Sequence, residues 1–299
     1  MQSIREYKPA PEDNRLYRRA LWITVVGNVA LASVKALAAY MTGSVALLAD
    51  AANSISDVFY SILLVAGLWM SRQPPDEGHP QGHHRFEPLV GLVVTLSMSF
   101  AAYEAARASI DHFLAGPQAI ELGVPTFVLL FSAGVKVFMF LIIRKLAQQT
   151  NSPALQTTAV DHISDVLTSL AAFFGILGSN FIAPIFDPIA GLLVSGWIFR
   201  AAFLAGRENL GYLTGAAAPE ELREEIVRIT QSVPGVEAVH HLVTEYAGPT
   251  LVVDLHINVD GDLSLRETHA ISDRVIEALE AMPEVDRAYV HIEPTGWEG

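Results

Sequence analysis

The chain contains no cysteine. A disulfide framework and every thiolate metal site are therefore excluded, which leaves imidazole, carboxylate and amide as metal ligands. Charge is scarce as well. Only 17% of the 299 residues are Asp, Glu, Lys or Arg, while 51% are hydrophobic and the mean hydropathy is +0.35. Soluble domains carry about a quarter charged residues, so this composition is that of a membrane protein. No glycine-rich phosphate loop and no ATPase aspartate signature occurs, which removes nucleotide hydrolysis as an energy source. The start, MQSIREYKPAPEDNRLYRR, lacks the short apolar core of a signal peptide and reads as a cytosolic arm over residues 1–19. Lysine is absent from residues 213–299, where 17 acidic residues face 5 arginines for a net charge of −12, whereas the first 212 residues are nearly neutral. A tail of that sign repels nucleic acid and anionic lipid and attracts cations.

What is present is a set of six apolar segments, roughly 20–41, 44–70, 88–113, 123–147, 155–178 and 185–206, each near the ~20 residues that a membrane-spanning helix needs. Gly- or Pro-marked turns separate several of them: TGS at 42–44, AGPQ at 115–118 and SNFIAP at 179–184. Basic residues precede the first segment (Arg5, Lys8, Arg15, Arg18, Arg19), lie between the second and third (Arg72, Arg85), end the fourth (Arg144, Lys145) and flank the end of the sixth (Arg200, Arg207). The 1–2, 3–4 and 5–6 loops hold no Lys or Arg, so both termini are expected in the cytoplasm. Beyond residue 213 the pattern becomes helix (PEELREEIVRITQSV), strand (AVHHLVTEYAG), strand (PTLVVDLHINVD), helix (SLRETHAISDRVIEALEAM) and strand (DRAYVHIEP). The expected fold is an all-α six-helix transmembrane bundle over 20–212. It is followed by a cytosolic α+β domain over 213–299, with α-β-β-α-β order and helices on one face of a sheet.

Two of the spanning segments carry groups that hydrocarbon does not tolerate alone. LLADAANSISDV at 47–58 holds Asp50, Asn53 and Asp57, and AVDHISDV at 159–166 holds Asp161 and Asp165. A carboxylate at the centre of a spanning helix costs roughly 2.5–3.5 kcal/mol on insertion scales, so something inside the bundle has to compensate. Asn53 and Asp57 are four apart, as are Asp161 and Asp165, and each pair therefore projects from one helix face. If the second and fifth helices pack together, four oxygen ligands converge on one divalent cation. The alternatives are interhelical hydrogen-bond anchors or a proton relay without metal. Three carboxylates and one amide form a hard set that suits Mn²⁺ or Mg²⁺ and is adequate for Fe²⁺, whereas Zn²⁺ prefers imidazole or thiolate. His162 points about 100° around the helix from Asp161 and reads as a packing neighbour or an outer donor.

Between the second and third segments, QPPDEGHPQGHHRFEP places Asp76, His79 and His83 at metal-ligand spacing, with His84 and Glu87 close by. Pro80 and Gly82 break any helix there, and no Glu adjoins His79, which excludes the helical zinc-protease arrangement. Six spans, matched polar pairs in the second and fifth, the His-rich loop and the small α-β tail together resemble the cation diffusion facilitator family. NSISD at 53–57, HPQGHHRFE at 79–87, DHISD at 161–165 and PGVEAVHHL at 234–242 carry the resemblance. Zinc-transporting members of that family usually hold His and Asp in these pairs. With Asn53–Asp57 and Asp161–Asp165 the chain is similar to the bacterial manganese-exporting branch, in agreement with the ligand argument.

The resemblance implies a loop metal site on Asp76, His79 and His83. It also implies cytosolic sites among His240, Asp254, His256, His269, His291 and Glu293, holding one or two ions near a homodimer interface, with His241 as a bystander. Asp254 and His256 share one strand face, as do His291 and Glu293. The competing reading of these six is single histidines on an acidic surface. Where the resemblance places an acidic residue that locks the dimer to a basic loop residue, here Arg85, this chain has Gly215.

The expected function is secondary active export of a divalent transition metal, Mn²⁺ foremost and Fe²⁺ or Zn²⁺ as alternatives, across the inner membrane in exchange for protons. Its partners are a second copy of the chain, the bilayer and protons, and no nucleic acid. A non-transporting membrane metal sensor would explain the histidines and not the mid-membrane carboxylates. A membrane hydrolase lacks any nucleophile–base constellation.

Overall fold

The computed structural model describes residues 11–42, 45–115 and 123–296. The first ten residues of the expected cytosolic arm, the turn at 43–44 and most of the AGPQ turn lie outside them. The described chain divides into two compact units, residues 1–210 and 211–299, two residues from the boundary drawn from composition.

The first unit is built from α1 (Pro11–Thr42), α2 (Val45–Ser71), α3 (Phe86–Ala115), α4 (Val124–Thr150), α5 (Pro153–Phe181) and α6 (Phe186–Thr214), whose last turn crosses the unit boundary. All six are long and apolar enough to cross a membrane. Their outward faces carry large apolar side chains such as Trp22, Phe59, Phe100, Phe138, Leu193 and Phe203, as lipid contact requires. The closest helix neighbours are α4 with α5 and α1 with α2; α4 also stands against α1, and α3 against α2 and α5. Contact between α2 and α5 is carried by side chains, with Leu64 and Leu68 sharing a buried cluster with Ala154, Leu155 and Ala159. The α4–α5 corner follows from local chemistry. Asn151 takes the left-handed conformation that ends α4, Ser152 caps α5 by accepting from the Leu155 N–H at 3.1 Å, and Pro153 occupies the first turn. The Ser152 hydroxyl in turn donates to the buried carboxylate of Glu87.

The second unit contains α7 (Glu220–Ser232), β1 (Ala238–Tyr246), β2 (Leu251–Val259), α8 (Leu265–Glu280) and β3 (Val285–Pro294), the order expected from the sequence. The sheet runs β1-β2-β3, with β1 antiparallel and β3 parallel to β2. Odd positions of β2, Leu251 to Val259, are buried, and Val253, Leu255, Ile257 and Val259 share one core with Ile226 of α7 and Ile271, Val275 and Leu279 of α8. Even positions therefore face away from both helices. A capping box at Ser264 and Glu267 starts α8. The two hydrogen bonds from Ser264 hold the Glu267 carboxyl below its ordinary value.

Gly215, the position where the sequence departs from the family's acidic residue, has φ +72 and directly follows α6. The Ala216 N–H closes onto the Gly211 carbonyl at 2.9 Å. This is the left-handed glycine that ends a helix, a conformation costly for any side chain.

Candidate metal-transport site

Asp57 on α2 and Asp161 on α5 line one cavity of ≈ 20 Å³, bounded also by Thr24, Asn28, Ser61, Thr158 and His162. That is room for about one water. Asn28 of α1 fixes the α2 wall, its Nδ2 donating to Ser61 Oγ at 2.7 Å and to the Asp57 carbonyl at 3.4 Å. Asp161, His162 and Asp165 each bring a ligand atom within 4.8 Å of the others. The structure thus brings together three of the four expected membrane ligands. Asn53 is exposed one turn before Asp57, and no hydrogen bond or ion pair links it to the other three among the described residues.

The sequence reading missed the residue that holds the carboxylates together. Lys136, in the middle of α4 and 4% exposed, places its Nζ 3.0 Å from Asp57 Oδ2 and 2.5 Å from Asp165 Oδ2. A second intramembrane lysine, Lys35 of α1, pairs with Asp50 of α2 at 2.8 Å. The chain has four lysines in all, and these two lie inside apolar runs. An isolated Lys in a spanning segment was a legible signal, since such residues pair with carboxylates or line a functional path.

His162 also departs from expectation. It is fully buried, and neither ring nitrogen has a hydrogen-bond partner among the described residues. It borders the cavity that has room for about one water. What stands beside Asp161 and Asp165 is a nitrogen donor with its bonding capacity unused.

The loop residues are gathered too. Asp76 Oδ1 accepts the His79 N–H at 2.7 Å, His83 Nε2 lies 3.5 Å from Asp76 Oδ2, and the two imidazole rings are 4.4 Å apart. The backbone hydrogen bond from His79 holds the Asp76 carboxyl below its ordinary value.

In the second unit, Glu293 of β3 is the hub. His240 Nε2 is 3.1 Å, His256 Nδ1 3.3 Å and His291 Nε2 3.5 Å from its carboxylate. A bulge between Val239 and His241 makes this possible. Val239 and Leu242 both pack on the core, so His240 and His241 both point away from it. His241 lies 4.7 Å ring to ring from His256, beside the cluster as a neighbour. Two expected residues stand apart. His269 is on α8, which covers the opposite face of the sheet, and its imidazole lies 3.8 Å from Asp273 one helical turn on. Asp254 shares the His256 face but sits one pleat along, opposite Val243 and Tyr289. If this cluster binds metal, His256→Ala or Glu293→Ala should weaken the binding that survives in an Asp57→Asn background by more than the ~10–100-fold typical of outer-ligand losses. Isothermal titration with Zn²⁺ and Mn²⁺ on the full-length protein reads this directly.

Residues 21–214 match the cation efflux transmembrane domain, and residues 218–295 match the cation efflux protein cytoplasmic domain. An uncharacterized transporter of Methanocaldococcus jannaschii, MJ0449, is 34% identical over 93% of this chain and 99% of its own length. The cation-efflux pump FieF of Yersinia enterocolitica is 32% identical over 95% of both chains. The manganese efflux system protein MneS of Bacillus subtilis is 26% identical over 91% of this chain and 93% of its own.

Proposed function

The chain belongs to the cation efflux family, as a multi-pass membrane transporter of divalent metal cations, and on that premise we propose that it exports Mn²⁺ in exchange for protons. The observation that carries the ion is the gathering of three hard oxygen donors: Asp57 and Asp161 line one cavity, Asp57 and Asp165 share one ammonium, and Asp161 and Asp165 lie within ligand reach of each other. The name of the Bacillus subtilis relative supports the same ion. Carboxylates brought together in a low-dielectric site take up protons when the metal leaves, and this gives the exchange its chemical basis. Both termini face the cytoplasm of an inner membrane, and two copies assemble through the tail domain, whose metal cluster reports cytosolic metal.

One observation favours a second reading. His162 offers an unused nitrogen within ligand reach of Asp161 and Asp165, and a mixed nitrogen–oxygen set suits Fe²⁺ or Zn²⁺. Proteoliposome flux with Mn²⁺, Fe²⁺ and Zn²⁺, run with and without an imposed proton gradient, tests both. Export of Mn²⁺ fastest, with proton counterflow, is the expected result. Fastest Zn²⁺ or Fe²⁺ flux transfers the assignment to the His162 set. Binding with no flux makes the protein a sensor.

A further inference from the structure

Lys136 lies ten residues inside the spanning stretch of α4 that begins at Thr126, about 15 Å from that end at 1.5 Å per residue. A lysine stem cannot carry its charge to either membrane surface from there. Its ammonium instead lies between Asp57 of α2 and Asp165 of α5, at 3.0 and 2.5 Å, against two of the carboxylates expected to hold the transported ion. An ammonium is a compact point charge with several donors. Its position here is the one a bound cation would take. From this geometry, and resting on the metal-site reading above, we infer that Lys136 is a tethered competitor of the cargo. It fills the site when no metal is bound, must be displaced for metal to bind, and returns to expel the metal on the far side.

The return stroke gives this arrangement its use. An exchanger passes between its two faces without cargo once per cycle, and bare mid-membrane carboxylates make that state costly. A lysine carried on α4 offsets one of their charges with a cation that cannot be lost and leaves the rest to protons, so the cost falls and tight trapping of metal is relieved. The lysine therefore sets affinity against turnover. It weakens ground-state binding and speeds release.

The test is a split between binding and turnover. In Lys136→Met and Lys136→Gln, Mn²⁺ binding to the purified full-length protein should tighten by about tenfold or more, because a like charge at contact distance has been removed. Turnover in proteoliposomes at saturating Mn²⁺ should fall, while Lys136→Arg, which keeps a cation, stays closer to wild type on both. Folded variants whose affinity is unchanged or weaker overturn the inference, since a lysine that only braces the bundle loses binding when removed. Should neither variant fold, protein labelled with ¹⁵N at its four lysine side chains carries the test. Saturation with diamagnetic Zn²⁺ moves the Lys136 ammonium resonance, identified by its loss in Lys136→Arg, and a saturated site with that resonance unmoved overturns it. Asp57→Asn run alongside separates the two levels. With the loop and tail groups removed by His83→Ala and Glu293→Ala, Mn²⁺ binding that survives Asp57→Asn overturns the site itself, whereas binding that needs Asp57 but ignores Lys136 overturns only the competitor.

Discussion

Asp57→Asn and Asp165→Asn are each expected to lower initial metal flux by more than the ~10–100-fold that loss of an outer-shell partner costs, with the protein still inserted and monodisperse. Both carboxylates face the same ammonium, and Asp57 borders the cavity that Asp161 also lines. Asparagine is the informative replacement. It keeps an oxygen acceptor for Lys136, whereas alanine leaves the buried ammonium with one partner fewer, and breaking a buried pair costs about 3–5 kcal/mol when the other charge is orphaned. A flux defect in Asp57→Ala could thus arise from a damaged bundle. Asp57→Asn at normal expression and melting temperature isolates the chemistry. Wild-type flux in both Asn variants removes these residues from the transport path.

The second large effect concerns which metal crosses. Asp161→His replaces a hard oxygen ligand by an imidazole beside His162, which already holds two unused ring nitrogens. Two adjacent imidazoles with Asp57 and Asp165 favour Zn²⁺ over Mn²⁺. The ratio of Zn²⁺ to Mn²⁺ initial rates should rise by about tenfold or more, roughly what a 1.4 kcal/mol change in relative transition-state energy gives. Initial rates for both metals in wild type and variant decide the matter. An unchanged ratio shows that Asp161 does not set selectivity.

The architecture was legible because its causes are local. Six apolar runs of sufficient length, and an alternating pattern between two amphipathic helices, dictate six spans and an α-β-β-α-β tail whatever their packing. The i, i+4 spacing announced Asp57, Asp161 and Asp165 for the same reason. Lys136 escaped because it sits 79 residues from Asp57 in the chain, and no periodicity links α4 to the polar faces of α2 and α5. The tail shows the other limit. Strand alternation places His240 and His241 on opposite faces, and only the extra residue of the bulge turns both outward. Gly215, a missing acid when compared with the family pattern, is explained by a backbone angle that residue identity alone does not display.

The pairing of Lys35 with Asp50 has a bearing on how the resting voltage of a cell acts on this protein. An elementary charge carried through the full membrane field gains or loses about 2.3 kcal/mol per 100 mV. Had Asp50 stood alone, any displacement of α2 along the membrane normal would work with or against that field, and the potential would bias the protein toward one orientation. Tied to Lys35 of α1 at 2.8 Å, Asp50 moves with a cation of equal charge, and the pair is a small dipole of no net charge. The voltage then has little hold on this part of the frame, and its pull falls on whatever crosses through the centre.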